Sequence, residues 1–228
     1  MWGLGLLLLV FQRDLGTALI YFGTFLAMIY LASSRFLYVI LGMILFFLGA
    51  LAAGHLFSHV QMRYITWLNP WSYMHDQGYQ IVQSLFALGA GGLIGVGLGA
   101  GYPEFIPAIH TDFIFSAITE EMGLLGGVAI LLLYLFFIYR GFRISLAAAD
   151  DFSTMVAGGL TALMGLQAFI IIAGVTKLLP LTGVTLPFVS YGGSSLVANF
   201  IIVGMLMNIS HESRVKPEPL MEMPMVKA

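Results

Sequence analysis

Five stretches of this chain, 15–32, 36–54, 113–139, 155–176 and 186–209, are apolar runs bounded by polar residues. An α-helix rising 1.5 Å per residue needs roughly 20 such residues to cross a hydrocarbon core about 30 Å thick. Backbone polar groups in lipid are satisfied only within helices or closed barrels, and runs of this length are helical rather than strand-like. The composition agrees, with 60% hydrophobic and 9% charged residues, against about 45–50% and about 25% in soluble domains. The sequence therefore predicts an all-α polytopic membrane protein with about five full transmembrane helices. A sixth run, 2–11, is about half a span; it starts abruptly at Met1 without a charged n-region or cleavage site and reads as the end of a helix begun upstream.

Nine Lys and Arg against eleven Asp and Glu leave a net charge of -2. No basic field exists to attract nucleic acid, so that partner is excluded. With no cysteine there is neither a disulfide framework nor a thiolate nucleophile or ligand. Orientation follows from the cationic residues of the short connections, which concentrate on the cytoplasmic side. Arg35, Arg140, Arg143, Arg214, Lys216 and Lys227 fall on one side, and Arg13, Arg63 and Lys177 on the other. The tail 211–228 is thus expected in the cytoplasm, with 1–210 a single membrane domain and 55–111 its one long extracytoplasmic segment.

Within that segment, Ile81, Leu85 and Leu88 recur at helical spacing with Gln80, Gln83 and Ser84 between them, predicting an amphipathic helix at the membrane surface. Seven glycines follow between residues 89 and 101. No Lys-Ser/Thr pair follows them and no strand–helix context surrounds them, which argues against a phosphate loop and for close backbone packing or an interfacial re-entrant turn.

Ionisable groups beside membrane spans are expensive and are functional candidates for that reason. Asp14 opens a span as either an N-cap or a functional carboxylate. Asp112, in His110-Thr111-Asp112-Phe113, stands where the outer segment re-enters the bilayer, again as a cap or as chemistry. Glu120 and Glu121 lie about two turns on, placed to cap neighbouring backbone, to pair with Lys177 or Arg63, or to flank a site. A carboxylate at the outer face can act as general base toward a hydroxyl. One such base suffices for glycosyl transfer when the leaving group is a pyrophosphate that departs unprotonated. Arg63 and Lys177 are candidates to neutralise that charge; Arg63 can equally snorkel beside Tyr64, Trp67 and Trp71. Residues 179–195 hold two prolines, three glycines and five Ser or Thr side chains, the signature of a broken helix that either kinks the packing or lines a cavity. His55 and His59 sit at i, i+4 but lack a third ligand, so no zinc site is expected there.

Five ordered motifs carry a family resemblance: Gln12-Arg13-Asp14-Leu15-Gly16-Thr17; Gly78-Tyr79-Gln80 with Gln83-Ser84; His110-Thr111-Asp112-Phe113-Ile114-Phe115; Glu120-Glu121-Met122-Gly123; and Leu186 onward through Pro187-Phe188-Val189-Ser190-Tyr191-Gly192-Gly193-Ser194. Over 12–210 the chain resembles the SEDS family, the RodA/FtsW/SpoVE group of bacterial shape, division and sporulation proteins. Members have about ten transmembrane helices, and this chain resembles the last six, without the family's Gln-Pro-Ser-Glu motif. It departs at Arg13, where the family commonly has Pro, and at Ile171, where many members have Asn. The resemblance implies a peptidoglycan glycosyltransferase that polymerises lipid II, the undecaprenyl-pyrophosphate disaccharide-peptide, at the outer face of the bacterial cytoplasmic membrane.

The implied base is Asp112, acting on the acceptor hydroxyl with inversion at the donor's anomeric carbon. Arg63, Gln83, His110, Thr111, Lys177, Ser190, Gly192, Gly193 and Ser194 are the expected substrate contacts, and Asp14, Glu120 and Glu121 the supporting residues. Expected partners are a class B penicillin-binding protein and other divisome or elongasome membrane proteins. No cofactor is implied with certainty, and a divalent cation, Mg or Mn, at the pyrophosphate is left open. Two alternatives remain: a lipid-precursor flippase, for which the broken helix argues, and a membrane scaffold for wall-synthesis proteins.

Overall fold

The computed structural model describes residues 14–215. Seven α-helices follow in order: α1 (Leu15–Ser33), α2 (Phe36–Leu56), α3 (Ser58–Leu68), α4 (Tyr79–Gly91), α5 (Ile114–Leu146), α6 (Asp151–Val175) and α7 (Gly193–Val215). Single 3-10 turns lie at Pro70–Tyr73 and Pro103–Phe105. Four helices, α1, α5, α6 and α7, contain stretches long and apolar enough to cross a membrane. The fifth predicted run forms α2, whose 21 residues span about 31 Å of helix. The half-span 2–11 and the tail beyond 215 lie outside the described residues.

The helix ends follow local chemistry. Asp14 caps α1 by accepting from the Thr17 amide at 3.0 Å, and Asp150 caps α6 by accepting from the Ser153 amide at 2.9 Å. The cap at Asp150 starts α6 four residues before the predicted 155. Ser34 turns left-handed at φ 53° and closes α1. The run expected from 186 becomes helical only at Gly193, because Pro187 lacks an amide donor and Ser190 takes the Leu186 amide into a side-chain bond of 2.8 Å. The run 113–139 extends to Leu146 and carries Arg140 and Arg143 on its last turns.

The apolar runs predict no helix at α3, a short helix of the outer segment that holds Gln61 and Arg63 among its apolar residues. The amphipathic helix expected near 79–88 is α4, with Ile81, Val82 and Ala87 buried.

α6 is the central helix, buried at Ala157, Thr161, Met164, Ile171 and Val175. Small residues admit its neighbours: a Cβ added at Gly158 would lie 2.5 Å from Leu31 of α1 and 2.9 Å from Ser145 of α5. α2 packs on α1 through the stacked rings of Phe22 and Phe46, 5.3 Å apart. Its outer side, including Phe36, Leu45 and Phe47, is exposed. α4 is pinned to two spans by Ser84, whose hydroxyl lies 2.7 Å from that of Ser116 on α5 and donates to the Val175 carbonyl at 3.3 Å. Such an interior hydroxyl pair fixes the rotation of α4 as well as its position.

Candidate active site

The loop before α5 reaches Asp112 over a floor of buried Ile106, Ile109 and Phe113, which pack with Leu186, Ile171 and Val175. Ala108, left-handed at φ 57°, turns the chain so that the amides of Thr111 and Asp112 both donate to its carbonyl at 3.1 Å. The turn 186–191 then holds the loop from the other side. The Tyr191 amide donates to the His110 carbonyl at 2.8 Å, and the Ser190 hydroxyl donates to the Thr111 carbonyl while accepting from the Leu186 amide. That turn is itself anchored, since Gln167 donates to the Thr185 carbonyl at 2.8 Å and the Tyr134 hydroxyl donates to the Pro187 carbonyl. The broken helix read from 179–195 thus cradles the backbone beside Asp112.

α3 brings the cation. Trp67 donates its indole N–H to the Lys177 carbonyl at 3.0 Å, and Arg63 donates from Nη1 to the carbonyls of Leu181 and Thr182, both at 3.3 Å. These bonds set Arg63 at the edge of an open cavity of about 520 Å³ that Asp112 also lines, a size typical of small-ligand pockets. α3 contributes Ser58, Met62 and Thr66 as well; Gln77, Gln80 and Ile81 come from the start of α4 and the turn before it, and Leu181 and Gly183 from the opposite wall.

Partial burial pushes the Asp112 carboxyl above the usual carboxylate range, while the Thr111 hydroxyl and the Arg63 charge pull it back. A half-buried acid beside a guanidinium, in a cavity lined by side-chain amides, can accept a proton from a sugar hydroxyl while the cation attends a phosphate.

Of the expected contacts, Arg63 and Asp112 share this cavity. Thr111 and His110 flank Asp112, and their carbonyls hold the loop. Gln83, Lys177, Ser190, Gly192, Gly193 and Ser194 do not line it. Lys177 serves through its backbone, its φ of 62° presenting the carbonyl that Trp67 grips. Glu120 is buried and accepts from the Tyr102 amide at 3.1 Å, rather than pairing with Lys177 or Arg63. The carbonyl of Glu121 accepts from the Gly97 amide at 3.0 Å.

Gln77, Gln80 and Ser58 are additions that sequence reasoning did not select. Gln80 stood inside a recognised motif, and the rotation of α4, set by Ser84, turns it rather than Gln83 toward the cavity. Among the described residues no group of three His, Asp or Glu side chains is placed to hold a metal ion. Asp112 is the one carboxylate among the residues that line the cavity.

A family model described as "Cell cycle protein", covering FtsW, RodA and SpoVE, matches residues 1–215. The peptidoglycan glycosyltransferase RodA of Mycobacterium bovis is 47% identical over 213 residues, 93% of this chain and 45% of that protein. Stage V sporulation protein E of Bacillus subtilis is 44% identical, covering 91% of this chain and 57% of that protein. The probable peptidoglycan glycosyltransferase FtsW of Geobacter metallireducens is 43% identical, covering 94% and 57%. The chain therefore spans about half the length of the curated relatives it matches.

Among solved structures, a chain of one described as "Structural coordination of polymerization and crosslinking by a peptidoglycan synthase complex" superposes with a TM-score of 0.75 at 25% identity, over 92% of this chain and 59% of that one. The crystal structure of a Thermus thermophilus RodA variant shares the fold, with a TM-score of 0.55 at 24% identity over 93% of this chain and 54% of that one. The chain is an integral membrane protein and belongs to the FtsW/RodA/SpoVE family.

Proposed function

We propose that this chain carries the catalytic half of a peptidoglycan glycosyltransferase that polymerises lipid II. The observation that carries the reading is the placement of Asp112 and Arg63 on the walls of one cavity beside the end of a spanning helix. Asp112 takes the proton of the acceptor sugar hydroxyl as that oxygen bonds to the donor's anomeric carbon. The bond from that carbon to the pyrophosphate oxygen breaks on the opposite face, inverting the centre. The departing lipid pyrophosphate keeps its electron pair, and Arg63 balances its charge. Gln77 and Gln80 are placed to hydrogen-bond sugar hydroxyls or amides.

The site faces the outer side of the bacterial cytoplasmic membrane and the C-terminus the cytoplasm, a reading supported by Arg140 and Arg143 at the far end of α5 from Asp112. The partner is a class B penicillin-binding protein, in keeping with the synthase complex whose chain this fold matches.

The test is glycan formation from lipid II by purified protein, run on this chain, on a form extended by the upstream half of a relative, and on Asp112→Asn of each, with the penicillin-binding partner present. Polymer from the extended form, with a loss of about 10²–10⁴-fold in Asp112→Asn, is the expected result for a general base. Undiminished polymer from a folded Asp112→Asn protein overturns the assignment. Movement of labelled lipid without polymer would mean transport instead.

A further inference from the structure

Residues 92–102 stay out of the cavity, and their side chains point away from the protein. Leu93 is 69% exposed, Ile94 79% and Leu98 80%, with Val96 and Tyr102 also exposed. The backbone beneath them is nevertheless fixed. α5 breaks at Gly123, whose φ of 70° is left-handed and forfeits the helical bonds from Leu124 to Glu120 and from Leu125 to Glu121. The glycine segment replaces both from outside the helix. The amides of Val96 and Gly97 donate to the carbonyls of Glu120 and Glu121 at 3.0 Å, and those of Leu124 and Leu125 donate to the carbonyls of Gly92 and Leu93 at 2.9 and 3.2 Å. Irregular backbone is tolerated at membrane depth when its polar groups are met in this way.

Depth follows from α5. Arg140 and Arg143, near its end, mark one membrane surface, and counting back about 20 residues, or about 30 Å, reaches Glu120 at the opposite boundary of the hydrocarbon. The segment joins the helix at that boundary. No charged side chain occurs anywhere in 77–103, and the exposed Leu93 and Ile94 lie beside the exposed Leu124 and Leu125 of α5, whose exposed side continues two turns on at Leu132. The apolar patch therefore continues the surface of a spanning helix.

We propose that 92–102 is a re-entrant bracket, its backbone seated in the break of α5 and its Leu93, Ile94 and Leu98 side chains immersed in the acyl chains of the leaflet at the Ile114 end of that helix. The bracket stands independently of the glycosyltransferase reading.

The absence of cysteine makes single-cysteine labelling unambiguous. Leu98→Cys and Ile94→Cys, each carrying a nitroxide, are reconstituted in phosphatidylcholine–phosphatidylglycerol vesicles, with Leu132→Cys as the lipid reference and Asp76→Cys as the aqueous one. The expected result is a ratio of oxygen to nickel-chelate collision at positions 98 and 94 matching Leu132 and several-fold above Asp76. A ratio matching Asp76 overturns the proposal in favour of a water-facing loop. An immobile label shielded from both reagents overturns it in favour of a covering protein.

Discussion

Arg63 sits close enough to Asp112 for its charge to oppose the burial that raises the carboxyl. Its effect on pH dependence therefore has a definite sign. A base works only when ionised, so activity falls as pH drops through its pKa, and the acid limb of Asp112 lies above the ordinary carboxylate range. Arg63→Gln removes a stabiliser of the anion and moves that limb to still higher pH. The pH profile of glycan formation, compared at saturating and limiting lipid II, checks this; a limb that stays in place, or shifts down, removes Arg63 from the electrostatics of the base. Stability runs the opposite way from activity. A carboxyl whose folded pKa is raised is destabilising once ionised, so Asp112 makes the fold less stable as pH rises from its unfolded pKa to its folded one, and Asp112→Asn abolishes that dependence. The position of Asp112 at a helix entrance was legible because a carboxylate beside an apolar run is conspicuous. Its neighbours were less so. Arg63 was equally readable as an interfacial anchor, Gln80 stood in a motif that did not mark it out from Gln83, and Gln77 and Ser58 carry no signal until α3 and α4 are rotated against the wall at 181–183.

The long spans and the amphipathic α4 were readable and the short α3 was not, for a physical reason. A run of about 20 apolar residues must be a helix in lipid whatever surrounds it, so the spans were placed to within a few residues at most of their ends. α3, of 11 residues, depends on contacts across the fold, such as Trp67 with the Lys177 carbonyl. The break in α5 left no trace in the apolar pattern, because Gly123 is one small residue among leucines and its left-handed conformation is sustained by a segment some thirty positions earlier. That segment's glycines follow from the pairing. At Gly95 a Cβ would press into the Glu121 carbonyl, and φ is 90°; at Gly99 φ is 71° but nothing lies within 4 Å. Alanine at Gly99 therefore meets backbone strain alone, of order 1 kcal/mol, whereas alanine at Gly95 adds the displacement of the bracket from α5 and costs about 1–3 kcal/mol more. Apparent melting temperatures in detergent should fall clearly further for Gly95→Ala than for Gly99→Ala. Equal losses would mean that the bracket contributes no packing of its own.

At the scale of the whole molecule, stability and chemistry occupy opposite ends of α6. At the end carrying Asp150, α6 is wedged between α1 and α5 at Gly158, where a Cβ would meet both Leu31 and Ser145. Beyond Val175 the chain leaves the helix to form the wall that grips Trp67 and Arg63 through the carbonyls of Lys177, Leu181 and Thr182. The 17 positions between Gly158 and Val175 amount to about 25 Å of helix. The wall is held by these local bonds and by the anchored turn 186–191, not by the packing at Gly158. Gly158→Leu overpacks the three-helix contact and costs about 1–3 kcal/mol, so the melting temperature should drop. Gly204→Leu, on α7 with nothing within 4 Å, adds a side chain to an open face and should leave it unchanged. In whichever form of the protein makes glycan, Gly158→Leu should keep the acid limb of the parent, because Asp112 and Arg63 retain their separation. A shifted limb would show instead that α6 transmits its packing along its whole length into the cavity, and that the site is tuned by how tightly the spans close around their central helix.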